Sequence, residues 1–280
     1  MATTTLPQHE PLTEDRRGPV VVFKNVSITF DSDRPVLDNL SFTVERGQQL
    51  IILGPAGTGK SVLLKLVDGL LEPDSGTVEV FGQCVTSMRE RDRFKLRARI
   101  GMVFQESALF DSLNVEDNVA YRLNEDRIPH EESHHRVEEV LNFVALPTAI
   151  TKFPSELSGG MRRRVGVARA IITQPEVLLY DSPTGGLDPI TSTTIIELIM
   201  KQRDVYKTSA LLVSHRLQDG FMLASHHYDP QAKHMKPLEG AALRNVTTTF
   251  IVLKDGKVIF DGSAQELGHT DNSYIREYIS

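Results

Sequence analysis

The chain has 280 residues, 40% of them hydrophobic and 24% charged, with a formal net charge of −6 and a single cysteine, Cys84. That length and apolar content suffice for one large domain or two coupled ones with a real core, while the acidic balance argues against general nucleic-acid affinity and a lone cysteine excludes an internal disulfide framework. No apolar run approaches the roughly 20 residues a membrane helix needs, and residues 1–19 are polar, with Glu10, Glu14 and Asp15, unlike a secretory leader. The expectation is a cytoplasmic protein whose membrane contact runs through a partner.

Residues 1–18, rich in Thr, Pro and charge, read as a disordered tail ahead of a folded domain over 19–280. Apolar and polar residues alternate from Val20 to Phe30, and Leu40 to Val44 continues the pattern, which predicts an antiparallel layer. The apolar strand Gln49 to Leu53 then enters Gly54-Pro55-Ala56-Gly57-Thr58-Gly59-Lys60-Ser61, and Val62 to Leu70 is helical in pattern. This strand, loop and helix start form a phosphate-binding loop. The glycines let backbone N–H groups turn toward a pyrophosphate, Lys60 supplies charge for the terminal phosphates, and Ser61 supplies a hydroxyl for magnesium.

Further strands are predicted over Gly76–Gly82 and Ile100–Phe104, with the basic stretch Arg89–Arg99 between them read as a solvated helix face. Asp111 to Pro154 is mostly helical, within a helical subdomain of about 108–165 inserted into the core. In Leu157-Ser158-Gly159-Gly160-Met161, Ser158 is a helix N-cap and the two bare glycines open a helix end that favours an anion. Arg162, Arg163 and Arg164 after it read as a polar face, followed by Val165, Val167, Ala168 and Ile171 at helical spacing. Glu176 to Asp181 is an apolar strand whose terminal carboxylate can hold magnesium through water. After a helix near Arg216 to Ala224, residues of about 226–247 read as an inserted loop with Pro230, Pro237 and Gly240. Its histidines His226, His227 and His234 lack regular ligand spacing and read as solvated rather than metal-binding. Strands at Thr249–Leu253 and Lys257–Phe260 and a short helix near Tyr274–Ile279 close the chain.

Taken together and in this order, the motifs resemble those of the ABC ATPases from about Val20 to Glu266. The resemblance implies an α/β fold: a P-loop NTPase (RecA-like) core with an antiparallel β layer and an inserted helical subdomain. It implies ATP and Mg2+ as cofactors, with Phe30 stacking on adenine and Gly54, Gly57, Thr58, Gly59, Lys60, Ser61 and Val62 around the phosphates. Ser61, Gln105 and Asp181 are then the metal residues, Gln105 also a sensor facing the membrane partner, His215 the histidine that contacts the γ-phosphate, and Asp188 the D-loop aspartate. Ser158, Gly159 and Gly160 would meet the γ-phosphate held by the opposite subunit, so two chains would sandwich two ATP molecules head to tail.

One position departs from the family pattern. Where the family has a catalytic Glu directly after the strand-end Asp, this chain has Ser182, whose hydroxyl accepts a hydrogen bond from water but does not take its proton near neutral pH. Loss of general-base assistance is typically worth about 10²- to 10⁴-fold, so slow hydrolysis with intact ATP binding is expected. The run Phe104 to Tyr121, with Ala108-Leu109-Phe110 and Asp117-Asn118-Val119-Ala120-Tyr121, resembles the ATPases of bacterial Mla-type phospholipid transporters, which work with MCE-domain lipid-binding proteins. That resemblance implies a membrane permease partner, an MCE partner, no nucleic acid, and a place at the inner face of the cell membrane; Arg122 stands where the group usually has proline. An ATP-dependent clamp with little hydrolysis is the alternative. A DNA-repair or translation ATPase is discounted, because the chain has one set of motifs and no sustained heptads.

Overall fold

The computed structural model describes residues 18–30, 34–239 and 247–279. The expected tail, apart from Gly18, and residues 240–246 of the expected loop lie outside them. In chain order, β1 (Val21–Ile28), β2 (Leu37–Val44) and β3 (Gln49–Leu53) lead through the glycine loop to α1 (Lys60–Val67). Next come β4 (Ser75–Val80), β5 (Gln83–Cys84), α2 (Glu90–Arg97) and β6 (Ile100–Val103), then α3 (Val115–Glu125), α4 (His130–Phe143) and α5 (Gly159–Ile171). The last part holds β7 (Val177–Asp181), α6 (Pro189–Tyr206), β8 (Ser209–Ser214), α7 (Leu217–Ser225), β9 (His226–Asp229) and β10 (His234–Pro237). It closes with β11 (Thr248–Lys254), β12 (Lys257–Ser263), α8 (Ala264–Gly268) and α9 (Ser273–Ile279).

Six strands form the central sheet in the order β12-β11-β3-β8-β7-β6, parallel throughout except for β12 at its edge. A parallel sheet must be covered on both faces, and β3 and β8 are buried at every position. Alternate side chains serve two separate cores. Leu50, Ile52, Leu179, Leu211 and Val213 pack with α1 and the antiparallel layer, while Ile51, Leu178, Tyr180 and Leu212 pack with α5, α6 and the helical group. A one-residue slip would exchange the two sets, so the apolar pattern fixes the register. The second sheet, β2-β1-β4-β5, is antiparallel, with Phe23 and Phe42 stacked 4.5 Å apart on its buried side. The mixed α/β architecture is the one expected: a P-loop core, an antiparallel layer, and helices α3 and α4 between β6 and β7.

The segment of about 226–247, read as a loop, differs: its first twelve residues form the β9–β10 hairpin, paired from His234↔Asp229 to Pro237↔His226. The breakers that suggested a loop sit where a hairpin tolerates them, Pro230 in the turn and Pro237 at the end of β10. The hairpin is tied to α6. Met235 N–H donates to Glu197 Oε1 at 3.1 Å, Tyr228 N–H donates to Asp204 Oδ2 at 2.7 Å, and the buried Arg203 donates to the carbonyls of Leu223 and His226. Among the described residues no group of three or more His, Cys, Asp or Glu is placed to hold a metal ion.

Candidate nucleotide site

Strands β3, β8 and β7 are neighbours in one register, with Leu53 opposite Ser214 and Val213 opposite Asp181. The glycine loop after β3, His215 after β8 and the Asp181-Ser182 step at the end of β7 therefore emerge side by side at the carboxyl edge of the sheet, where open α/β sheets hold ligands. There they line a cleft of about 580 Å³ with Phe30, Gly57, Gly59, Lys60, Ser61, Val62, Gln105, Ser182 and His215 on its walls.

The glycines shape this cradle in different ways. A Cβ at Gly54 would stand 2.6 Å from the Leu253 carbonyl oxygen and one at Gly59 2.7 Å from Leu37 Cδ2, whereas Gly57 at φ 80° faces open space. Thr58 Oγ1 donates to the Pro55 carbonyl at 2.9 Å, and Lys60 Nζ donates to the Gly54 and Pro55 carbonyls at 2.7 and 2.6 Å. Burial lowers the Lys60 pKa, with the Asp181 carboxylate opposing. Ser61 Oγ donates to Asp181 Oδ1 at 3.0 Å, so a hydroxyl and a carboxylate already meet, and Gln105 lines the same cleft as Ser61: hard oxygen donors of the kind magnesium takes. The residues thus fit a magnesium nucleotide. Phe30, read as the end of a strand, lies just beyond β1 and is 46% exposed, leaving a ring face free to stack.

Ser182 sits in the left-handed region at φ 45° and is 8% exposed. Its N–H donates to the Val213 carbonyl at 2.9 Å, and its own carbonyl accepts from Gly185 N–H at 2.9 Å, closing a turn over 182–185. Thr184 Oγ1 donates to the buried Asp219 carboxylate, whose pKa burial raises against the effect of that bond. Ser182 lines the same cleft as His215 and Gln105, and a serine hydroxyl there can orient a water but not deprotonate it.

The signature residues lie elsewhere. Among the described residues, Ser158, Gly159, Gly160 and Asp188 do not line the nucleotide cleft. Ser158 Oγ caps α5, accepting from Met161 N–H at 3.2 Å. A Cβ on Gly160 would come 2.4 Å from Thr191 Cγ2, and Thr191 is itself held by Asp188, which accepts its hydroxyl at 2.6 Å and its N–H at 3.0 Å. The chain therefore gathers Gly160 and Asp188 at one place and the phosphate loop at another.

Of the three arginines read as a polar face, Arg162 is exposed as expected, Arg164 is half-buried and Arg163 is buried. Arg162 donates to the Leu157 carbonyl, Arg164 to those of Val144 and Ala145, and Arg163, buried, to those of Phe104, Ser182 and Gly185. The signal was present: Arg163 shares the helical stripe of Gly166, Val167 and Ala170, all buried.

A family model described as ABC transporter matches residues 37–185. The chain belongs to the ABC transporter family. It is an ATPase of that family, and two kinds of relative span most of it. The intermembrane phospholipid transport ATP-binding protein MlaF of Escherichia coli is 34% identical over 93% of this chain and 88% of its own length. The methionine import ATP-binding protein MetN 1 of Bacillus thuringiensis is 33% identical over 93% of this chain and 73% of its own. Among solved structures, a dimeric ATP-binding cassette in a post-hydrolysis state with ADP and Pi superposes with a TM-score of 0.72 at 27% identity, covering 87% of this ABC ATPase and 98% of that chain. CbiO1 of Clostridium perfringens, 24% identical with a TM-score of 0.74 over 93% of this chain and 94% of its own, shares the fold. Among the described residues of this family member no helix is long and apolar enough to cross a membrane.

Proposed function

We propose that this ATPase is the ATP-binding subunit of a bacterial phospholipid transporter of the Mla/MCE kind. It works on the cytoplasmic side of the membrane as a head-to-tail dimer beneath a permease, with an MCE-domain protein as the lipid carrier. Lys60 and the backbone around Gly57 and Gly59 would hold the phosphates of ATP, Ser61, Asp181 and Gln105 the magnesium ion, and Phe30 the adenine. Ser158 and Gly160 would meet the γ-phosphate bound by the partner subunit. With Ser182 in place of a general base, hydrolysis is slow relative to binding.

One observation carries the lipid-transport reading: the residues of the Mla-like segment form a single built unit. Asn118, fully buried, accepts from Phe110 N–H at 2.8 Å and donates its amide to the carbonyls of Phe110, Leu113 and Asn114. Phe110 then packs against Tyr121 in a tilted ring pair at 4.8 Å, both rings 43% exposed, in a groove that also takes in Phe104 and Arg122. Exposed aromatics rimmed by polar groups are the anatomy of a docking surface, and a permease helix is its occupant. Ser182 favours the second reading, a clamp in which binding is the working signal.

The test is to purify the full chain with the membrane proteins that accompany it. Phe110→Ala with Tyr121→Ala should lose the permease while still binding ATP. Retention of the permease by this variant, or an accompanying permease for methionine rather than lipid, overturns the assignment.

A further inference from the structure

The turn over 182–185 is the wall between two clefts. On one side is the nucleotide cleft, which Ser182 lines; on the other is a cleft of about 370 Å³ lined by Arg163 together with Glu106, Gly159 and Gly185, and Gln105 borders both. Arg163 projects from α5, the helix that Ser158 caps, and is 5% exposed. Its guanidinium donates to the Phe104 carbonyl at 3.1 Å, to the Gly185 carbonyl at 3.1 Å and to the Ser182 carbonyl at 3.4 Å. The cation is thus satisfied mainly by main-chain oxygens of two separate loops, with the Glu106 charge supporting its protonated form against burial. The loops are those that present Gln105 and Ser182 to the nucleotide. They are in close contact: a Cβ on Gly185 would lie 3.2 Å from the Ser182 carbonyl oxygen and 3.5 Å from Gln105 Nε2.

We propose that Arg163 is a positioning residue of the ATPase site, a bracket through which the signature helix fixes the carbonyls of Ser182 and Gly185 and the root of the Gln105 loop in one geometry. Arg163 holds the Ser182 carbonyl from one side of the turn while Ser182, in a left-handed backbone conformation, lines the nucleotide cleft on the other. Arg163 touches no nucleotide-facing surface of that cleft, so it acts on turnover and not on affinity. The same helix grips the next part of the loop, where Arg169 donates to the carbonyls of Ser107 and Ala108 at 2.9 and 2.7 Å. Any displacement of the signature helix is thereby passed to the water-facing residue of the same chain.

The inference rests on the reading of the cleft as the ATP site, and the experiment separates the two. Mg-ATP affinity by calorimetry and single-turnover hydrolysis are measured for the full-length natural chain, Arg163→Met, Arg163→Lys, Ser182→Glu and the double variant Arg163→Met with Ser182→Glu. A small misplacement of a reacting group costs up to about 10²-fold, so Arg163→Met should hydrolyse at least about tenfold more slowly at an ATP affinity within about threefold of the natural chain. Arg163→Lys, which keeps charge but not the fork, should fall between, and it decides the matter if the Met variant does not fold. The gain from Ser182→Glu should shrink to under about threefold when Arg163 is Met. Unchanged turnover in the variant that folds, or an undiminished Ser182→Glu gain in the double variant, overturns the bracket. Absence of ATP binding by the natural chain sinks the site itself. If Ser182→Glu gains nothing while the Arg163 variants slow turnover, the bracket stands and the account of Ser182 falls.

Discussion

Ser182→Glu places a carboxylate in the cleft beside Gln105, His215 and Lys60. The backbone there already holds a non-glycine residue at φ 45°, so the exchange adds no backbone strain of its own, and the longer side chain has the cleft to extend into. A fully positioned general base is worth about 10²- to 10⁴-fold, or roughly 2.7 to 5.5 kcal/mol of barrier. Two features reduce that figure here. Asp181, one residue away, disfavours a second anion, and nothing in the turn over 182–185 was built to orient a longer side chain. Lys60, whose charge Asp181 already favours, works in the opposite direction. The net expectation is a gain of about 10- to 100-fold, or roughly 1.4 to 2.7 kcal/mol. Single-turnover hydrolysis of Mg-ATP, with binding measured separately by calorimetry, reads it directly. A natural chain that already turns over at about 10 s⁻¹, the median for enzymes, would mean that another group replaces the base. A variant that binds ATP normally and gains nothing would refute the reasoning and leave the clamp reading in its place.

Lys60→Ala should weaken ATP binding at least about 100-fold by removing the charge that meets the terminal phosphates; equal binding by calorimetry would sink the nucleotide-site assignment. Gly160→Ala drives a methyl to 2.4 Å from Thr191 Cγ2, so the mouth of the signature helix must shift. We expect it to abolish ATP-dependent dimerisation in light scattering while monomer affinity for ATP is kept, and a dimer as strong as the natural one would count against the head-to-tail arrangement. Burial lifts the Asp68 carboxyl to about 6, with Arg97 opposing, at the C-terminal end of α1 where a negative charge is unwelcome. A carboxyl raised in the folded state keeps a proton the unfolded chain has released, so stability falls as pH rises from about 4 to about 6. Asp68→Asn should therefore raise stability by roughly 1 to 3 kcal/mol at pH 7.5 and have no effect near pH 4, by thermal unfolding; a gain independent of pH would contradict this.

The sheet was legible where its strands are short apolar runs, and β3 and β7 could be placed from Gln49–Leu53 and Glu176–Asp181, whereas β8 (Ser209–Ser214) was not placed by local pattern. Lys60, Ser61, Gln105, Ser182 and His215 come from segments far apart in sequence, and family order, not local pattern, pointed to the cleft they share. The hairpin of β9 and β10 was hidden because Pro and His give no strand alternation; its stability comes from α6, through Glu197, Arg203 and Asp204, which no local window contains. Arg163 was misjudged for a related reason. The helical stripe with Gly166, Val167 and Ala170 signals its burial, but its partners are main-chain oxygens that no side-chain pattern announces.

The strand that delivers the phosphate loop, β3, is flanked on one side by β8 and on the other by β11, both from the last third of the chain. Neither hydrogen-bonded neighbour exists while the first half is being synthesised. Nascent chains leaving the ribosome thus carry an apolar five-residue strand with two open edges and a glycine loop that has no sheet to hold it. Nucleotide capacity is therefore expected only once β8 and β11 have closed around β3. A chain ended before β8 should accordingly bind no ATP, and calorimetry on that truncation reads it.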